Sequence, residues 1–526
     1  MLACSLCFQD GYIVCSRPDE IPAPIPSVRL HGIAVLPRGI KQRGRRTMIS
    51  PLSLEIARGV RIALPPDPRH ISTYVFLEQE DWFEDEADFV SRAAEPGGRM
   101  LDVGSSFGFY SLNYARAGGA AARVWAFEPT PEVCILLRES IRQNGLANMT
   151  LVETAVGAAS GRARFAAGLH SELNSLDTAR GSLEVAVATL DDLDQEHGFG
   201  TVDFVKLDVE GHEAEVVTGG VVFFKRESPL VMLEIKAGSV LDFTAAERFE
   251  ALGYALYRLV PRLGVLVPFE RTQVDPFLLN VFACKPDRAA RLADRGMLCT
   301  AIAASAPRAE REEVAACIRG IPALAGHAAF FENLLAQAPA DDPATLLLRH
   351  EVASRNGSIP LPGRCAALAA AAAIARQSAA AQLGLAKMLG AARVLRGWGE
   401  RGAAAGVLQR LLPAVLSGSG LSLDAPFLPP LPEYDARGGE IAAWLSACIV
   451  EAAALWSTYS SYWGEPTNVP TSDLLQRFGQ QSAQFERRRQ LRRMLEGRQT
   501  GPQANPLLKA KSPENLNPEF WCGPTT

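Results

Sequence analysis

The residues best suited to chemistry fall in short stretches that each follow an apolar run. The first is Leu101-Asp102-Val103-Gly104-Ser105-Ser106-Phe107-Gly108. A buried strand ending here and a helix beginning would form a tight turn, in which Gly104 and Gly108 remove Cβ atoms that would block a ligand and the helix start offers N–H groups to an anion. The spacing D-x-G-x-x-x-G is not the G-x-G-x-x-G of dinucleotide binders, so a small carboxylate-bearing cofactor suits the turn better than a pyrophosphate. The second is Glu128, which follows Val124-Trp125-Ala126-Phe127 and precedes Pro129. An acid at the carboxyl end of a neighbouring strand can accept hydrogen bonds from both hydroxyls of a ribose.

The third stretch runs from Val202 to Gly211 and becomes charged only toward its end. Strand residues two apart share a face, so Lys206, Asp208 and Glu210 should point together into the crevice where open α/β sheets bind ligands. Charges are seldom placed in a central parallel strand without partners, and a structural Lys206–Asp208 pair is the plainer alternative. His212 follows without the H-E-x-x-H spacing of zinc proteases, and its titration near neutrality makes it a candidate proton acceptor. Glu234, closing Val231-Met232-Leu233, is a further acid at the same edge. Cys4, Cys7 and Cys15 lack a second ligand pair at zinc-site spacing, so no metal site is assigned.

The elements that must position these residues alternate between short β-branched or aromatic runs and helical patterns, the mark of a mostly parallel sheet wrapped by helices. Strands are expected at Met100–Val103, Arg123–Phe127, Met149–Thr154, Val202–Val209, Leu230–Ile235, Tyr254–Val260 and Leu278–Cys284, seven in all, the last two forming a reversed edge. Ahead of them, Tyr74 to Leu77 reads as a strand and Phe89-Val90 as part of a helix. After Arg288 the chain turns alanine-rich and helical, with one tetratricopeptide-like helix pair between Met388 and Leu416. The expected organisation is a lead-in over 1–71, an α/β domain over 72–290, a helical domain over 291–500 and a disordered tail over 501–526.

The chain has 526 residues and a formal net charge of −5. That near-neutral balance does not suggest a nucleic-acid partner. No apolar run reaches the roughly 20 residues a membrane span needs, and no secretory leader is legible. With 10 cysteines and no leader, reduced thiols and a cytoplasmic location are expected.

These residues together resemble the FkbM family of methyltransferases over about Thr73 to Ala293. The resemblance is carried by Asp81-Trp82-Phe83-Glu84, Pro96-Gly97, Leu101-Asp102-Val103-Gly104 through Tyr110-Ser111-Leu112, Phe127-Glu128-Pro129 and Val205-Lys206-Leu207-Asp208-Val209-Glu210-Gly211. It implies a class I methyltransferase (Rossmann-like) fold, S-adenosylmethionine as cofactor, and O-methylation of sugars or natural products. Carried over by position, it implies Asp102, Gly104, Ser105, Gly108, Glu128 and Asp208 at the cofactor and Asp208 and Glu210 at the reacting groups. This chain has Ser105-Ser106 where the family commonly has Ala-Asn.

An alcohol must lose its proton as the new bond forms, so Asp208 or Glu210 is the expected base, with His212 assisting. Two carboxylates this close could also hold Mg²⁺. The acceptor is expected to be a glycan or small molecule, selected by the helical domain. The rival readings are a silent methyltransferase-like scaffold whose helical domain binds a protein partner, and a nicotinamide-dependent oxidoreductase, which the glycine spacing disfavours.

Overall fold

The structure is a computed structural model that describes residues 5–9, 12–16, 51–165, 183–237, 240–272, 274–381, 384–417, 423, 425–463, 471–480 and 482–495. The expected tail and the side chains of Cys4, Cys7 and Cys15 lie outside the described residues. Its centre is an eight-stranded sheet. The strands are β1 (Arg99–Val103), β2 (Arg123–Phe127), β3 (Met149–Val152), β4 (Phe204–Leu207), β5 (Leu230–Glu234), β6 (Ala255–Val260), β7 (Val265–Pro268) and β8 (Asn280–Cys284), in the spatial order β7-β6-β8-β5-β4-β1-β2-β3.

Strands β1 to β5 run parallel, while β8 lies antiparallel between β5 and β6. All seven expected strands are present, and β7 is the eighth. Val265–Pro268 escaped the sequence reading because it is a four-residue run closed by proline, directly after the turn at Arg262-Leu263-Gly264. Its hairpin with β6 forms the outer edge, so β8 is an interior strand and not the expected edge.

The parallel strands are buried on both faces. Met100, Phe204 and Met232 point into one apolar cluster, and Leu101, Val103, Val205, Leu207 and Leu233 into the other. This explains why these stretches read as continuous apolar runs. Strand order reverses at β1, which has β2 on one side and β4 on the other, and such a switch point opens a crevice at the carboxyl ends of the strands.

The helices that bear on the site are α1 (Ile71–Gln79), α2 (Glu86–Ala93), α3 (Phe109–Ala117), α4 (Pro131–Asn144) and α5 (Glu213–Gly219). The expected strand at Tyr74–Leu77 is therefore a correction: these residues belong to α1. Nearly every α1 side chain is buried, and an apolar run without alternation does not distinguish a strand from a fully buried helix. Upstream, a hairpin of Leu52–Glu55 with Arg61–Leu64 sends Leu52, Leu54, Ile62 and Leu64 into the core, so this part of the expected lead-in is packed structure.

Farther along come α6 (Pro343–Arg355), α7 (Leu361–Ala380), α8 (Leu385–Trp398), α9 (Arg401–Ser417) and α10 (Ile441–Trp456), each packed on its predecessor, then α11 (Ala483–Leu495). Buried alanines such as Ala371, Ala372, Ala391 and Ala392 let these helices approach closely. Gly399, in the left-handed region, terminates α8 and turns the chain into α9. The helices share their apolar cluster with Val260, Val265 and Val267 of the sheet edge, and Leu491 of α11 enters the cluster beneath β1. Among the described residues no helix is long and apolar enough to cross a membrane.

Candidate functional site

At the switch point the chain leaves β1 through Gly104, whose φ is +80°. A Cβ there would lie 1.8 Å from the Asp208 carbonyl oxygen, so the close approach of the β4 exit demands glycine. Gly108 has φ +82°, and a Cβ there would lie 2.3 Å from Leu137 Cδ1 on α4. Both glycines make room for neighbouring protein atoms. The turn amides are likewise engaged: Gly104 and Ser105 donate to the Phe127 carbonyl at 3.1 and 3.0 Å, and Ser106 to Glu128 Oε2 at 3.0 Å. Ser105 Oγ, by contrast, is buried without a hydrogen-bond partner. A buried orphan hydroxyl at this turn is a group that a polar ligand would satisfy.

Glu128 stands at the end of β2, buried, with Oε1 accepting from the Thr130 amide at 2.8 Å. Burial pushes its carboxyl upward, opposed by the Thr130 hydroxyl and by the Thr130 and Ser106 amides. These bonds fix its orientation, and a carboxylate with about four lone-pair sites retains capacity for a ligand hydroxyl.

The next layer is built around Lys206 of β4, whose Nζ donates to Asp208 Oδ2 at 2.8 Å and lies 4.0 Å from Asp102 Oδ1. Burial alone would lower the lysine, but the Asp208, Asp102 and Glu84 carboxylates outweigh it and hold the ammonium above its ordinary value. Asp102 Oδ2 accepts from the Ser111 amide at 3.1 Å and from its hydroxyl, tying β1 to α3. Its Oδ1 is a second buried oxygen without a hydrogen-bond partner.

Beyond Asp208 the expected alternation fails. The strand ends at Leu207, and Glu210 takes φ +54° in an exposed turn, so it does not continue the face shared by Lys206 and Asp208. His212 caps α5, with Nδ1 4.0 Å from Glu215 Oε2. The acids that join Asp208 are Glu213 and Glu234, with one oxygen from each of the three within 4.8 Å of the others. Sequence reasoning named Glu234 but missed Glu213. Its signal was an acid opening a helix, where it reaches back to the Val209 and Gly211 amides at 2.8 and 3.2 Å. Burial, then the charges of Asp208 and Glu210, pushes Glu234 up to about 11.

Glu84 is a further polar centre that residue-by-residue reading did not single out. Its carboxylate accepts from the Tyr110 hydroxyl, from Asn280 Nδ2 at 3.0 Å and from Trp82 Nε1 at 3.0 Å. The Tyr110 ring lies 5.5 Å from Lys206 Nζ, which places Glu84 beside the charged edge.

A mostly parallel sheet with one reversed interior strand, and polar groups gathered at the carboxyl ends of β1, β2, β4 and β5, is a class I methyltransferase-like arrangement. Residues 102–256 match the family model described as methyltransferase FkbM domain, and the chain carries a methyltransferase domain of that family. Among solved structures the chain is similar to methyltransferase FkbM from Methylobacillus flagellatus, at 16% identity over 35% of this chain and 43% of that one, with a TM-score of 0.25. It is also similar to a SAM-dependent methyltransferase from Aquifex aeolicus (16% identity, 40% and 91% covered, TM-score 0.24). A SAM-dependent O-methyltransferase from Thermotoga maritima aligns at 14% identity over 45% and 78%, with a TM-score of 0.24. The chain thus spans less than half the length of the Methylobacillus protein, and the family match, not these alignments, carries the assignment. No curated protein matches the chain.

Proposed function

We propose that this protein is an S-adenosylmethionine-dependent methyltransferase acting on a hydroxyl oxygen of a sugar, polysaccharide or natural product. The observation that carries the reading is the meeting of the β1 glycine turn, Glu128 and Asp208 at one sheet edge, within the segment that matches the family.

Asp102, Gly104, Ser105, Gly108, Glu128 and Asp208 are the residues proposed to form the cofactor site. The unsatisfied Ser105 Oγ and Asp102 Oδ1 and the spare lone pairs of Glu128 fit a polar, hydroxyl-bearing ligand. When bound, S-adenosylmethionine supplies a methyl group on a positively charged sulfur. The protein's task is alignment and proton removal. Holding the acceptor oxygen in line contributes on the order of 7–11 kcal/mol. Asp208 is the proposed base, because it stands at the carboxyl end of β4 with one oxygen fixed by Lys206 at 2.8 Å and Glu234 hydrogen-bonded beside it. Glu210 and His212 assist from the following turn.

Calorimetric titration with S-adenosylmethionine should show binding that Glu128→Gln weakens. Methyl transfer from labelled cofactor to cell fractions should fall roughly 10²–10⁴-fold in Asp208→Asn while cofactor binding persists. Wild-type protein that binds no cofactor sinks the reading, and full transfer by Asp208→Asn removes Asp208 from the chemistry.

A further inference from the structure

The segment from Met297 to Ala309 straps the outer sheet edge to the helical region. Its first residues pair with β7: the Leu266 amide donates to the Met297 carbonyl at 2.9 Å, and the Cys299 amide to the Leu266 carbonyl at 2.8 Å. Its later residues are held by helices. The Ala303 amide donates to the carbonyl of Pro362, in the first turn of α7, at 3.3 Å. From α6, His350 Nδ1 donates to the Pro307 carbonyl at 2.8 Å and Arg349 Nε to the Ala309 carbonyl at 2.6 Å.

Within this strap Cys299 meets Cys365 of α7. The two thiols hydrogen-bond each other, and Cys299 Sγ also lies 3.2 Å from the Ala301 carbonyl oxygen, so a chain of donors runs from Cys365 through Cys299 to the backbone. Both residues belong to the apolar cluster that the helices share with the sheet edge, at 2% and 0% exposure. The backbone on each side of the pair is therefore fixed by bonds to different parts of the fold, and the sulfurs are brought together by it.

The pairing separates the two sulfurs chemically. Donation from Cys365 holds Cys299 below the ordinary thiol value, and the same bond holds Cys365 above it. Burial pushes Cys134, Cys284, Cys317 and Cys448 upward instead. A thiolate is the nucleophile, so Cys299 is the attacking sulfur and Cys365, beside it, the resolving one. Thr300, Ala301 and Ile302, which follow Cys299 directly, are exposed and belong to no helix or strand. Cys299 thus lies just beneath solvent-facing chain, within reach of a small oxidant but not of a bulky one.

We propose that Cys299 and Cys365 are a hydroperoxide-sensitive pair whose reversible disulfide clamps the sheet edge to α7. With hydrogen peroxide, the Cys299 sulfur attacks one oxygen, the O–O bond breaks, and the leaving oxygen takes up a proton and departs as water. Cys299 is then a sulfenic acid. The Cys365 sulfur displaces the hydroxyl from it, the Cys365 proton leaves with that hydroxyl as a second water, and the S–S bond forms. The thiols together lose two electrons and two protons, and the peroxide is reduced to water. A dithiol reductant restores both thiols by exchange. The inference does not depend on the methyltransferase reading above.

The test treats full-length, reduced protein with hydrogen peroxide, blocks the remaining thiols with N-ethylmaleimide, and reads a tryptic digest by mass spectrometry. The peptides Gly296 to Arg308 and Cys365 to Arg376 each carry a single cysteine, so the disulfide appears as their joined mass. It should form in folded wild type, vanish with dithiothreitol, and exceed any joining of Cys299 or Cys365 to another cysteine by at least about ten-fold. Oxidised wild type should melt about 4 °C or more above the reduced protein, a rise that Cys365→Ala does not show. Dimedone should tag Cys299 in peroxide-treated Cys365→Ala and leave Cys365 untagged in Cys299→Ala. Absence of the joined peptides, or their formation only in urea-unfolded protein, overturns the proposal. An unchanged melting temperature in linked wild type overturns the clamp, and tagging of Cys365 in Cys299→Ala overturns the order of attack.

Discussion

Asn280 lies directly opposite Glu234 across the antiparallel β5–β8 ladder, and its side-chain amide donates to Glu84 at 3.0 Å. One residue thereby stands between the carboxylates gathered around Asp208 and the polar centre at Glu84. The link depends on β8 running inside the sheet. As an edge strand, β8 would have paired with β6 alone and left Glu234 without this neighbour.

Glu234 makes stability depend on pH. Its ordinary value is 4.5, and burial followed by the Asp208 and Glu210 charges raises it to about 11 in the folded protein. A carboxyl raised on folding contributes fully below its unfolded value, and the contribution is lost as pH rises through the folded one. Wild type should therefore lose stability from this group above the ordinary value, at up to about 1.4 kcal/mol per pH unit. Glu234→Gln should flatten that slope in urea unfolding at about pH 5, 7 and 9; equal slopes in the two proteins would refute the assignment. Because a proton already relieves the cluster of Asp208, Glu213 and Glu234, methyl transfer should persist in excess chelator. Loss restored by Mg²⁺ would show a cation in the proton's place.

Gly104 and Gly145 separate strain from collision. Both have positive φ, but a Cβ on Gly145 meets nothing within 4 Å, whereas one on Gly104 meets the Asp208 carbonyl at 1.8 Å. Gly145→Ala should cost about 1–2 kcal/mol, the left-handed penalty alone. Gly104→Ala should add roughly 1–3 kcal/mol of overpacking and lower S-adenosylmethionine affinity by shifting the β4 exit. Equal unfolding midpoints for the two variants would contradict the packing argument.

Arg488 and Glu78 fasten α11 to α1. Glu78 is fully buried, and it accepts from Arg488 Nε, the Ser460 hydroxyl and the Ser461 amide. Arg488→Met leaves a buried carboxylate without its cation and should cost about 3–5 kcal/mol in chemical unfolding. Adding Glu78→Gln should recover much of the loss, since the amide carries no charge. A double variant as unstable as the single one would show that packing of the guanidinium, and not its charge, is what matters.

Part of this was legible in the chain. The stretches around Gly104, Glu128 and Asp208 could be found because each is a strand, a turn and an acid within about ten residues, and their joint order carries the family match. Glu213 was missed because its role needs the turn at Val209 to Gly211 to fold back onto the first turn of α5. Glu86 carried no signal, since an acid among Glu84, Asp85 and Asp88 looks like a solvated helix start, yet it is buried in the fold.

Local order by itself determined that Leu101, Val124, Val205 and Val231 belong to buried strands and that polar residues follow at their carboxyl ends, because strand burial and turn chemistry act between near neighbours. Tertiary structure alone decided that β8 enters between β5 and β6, that Gly104 is required by the Asp208 carbonyl, and that Tyr459 reaches Phe83. The physical reason is range. Strand order, a backbone collision and a ring contact each depend on groups brought together from distant parts of the chain, and the spacing of residues along it holds no record of those meetings.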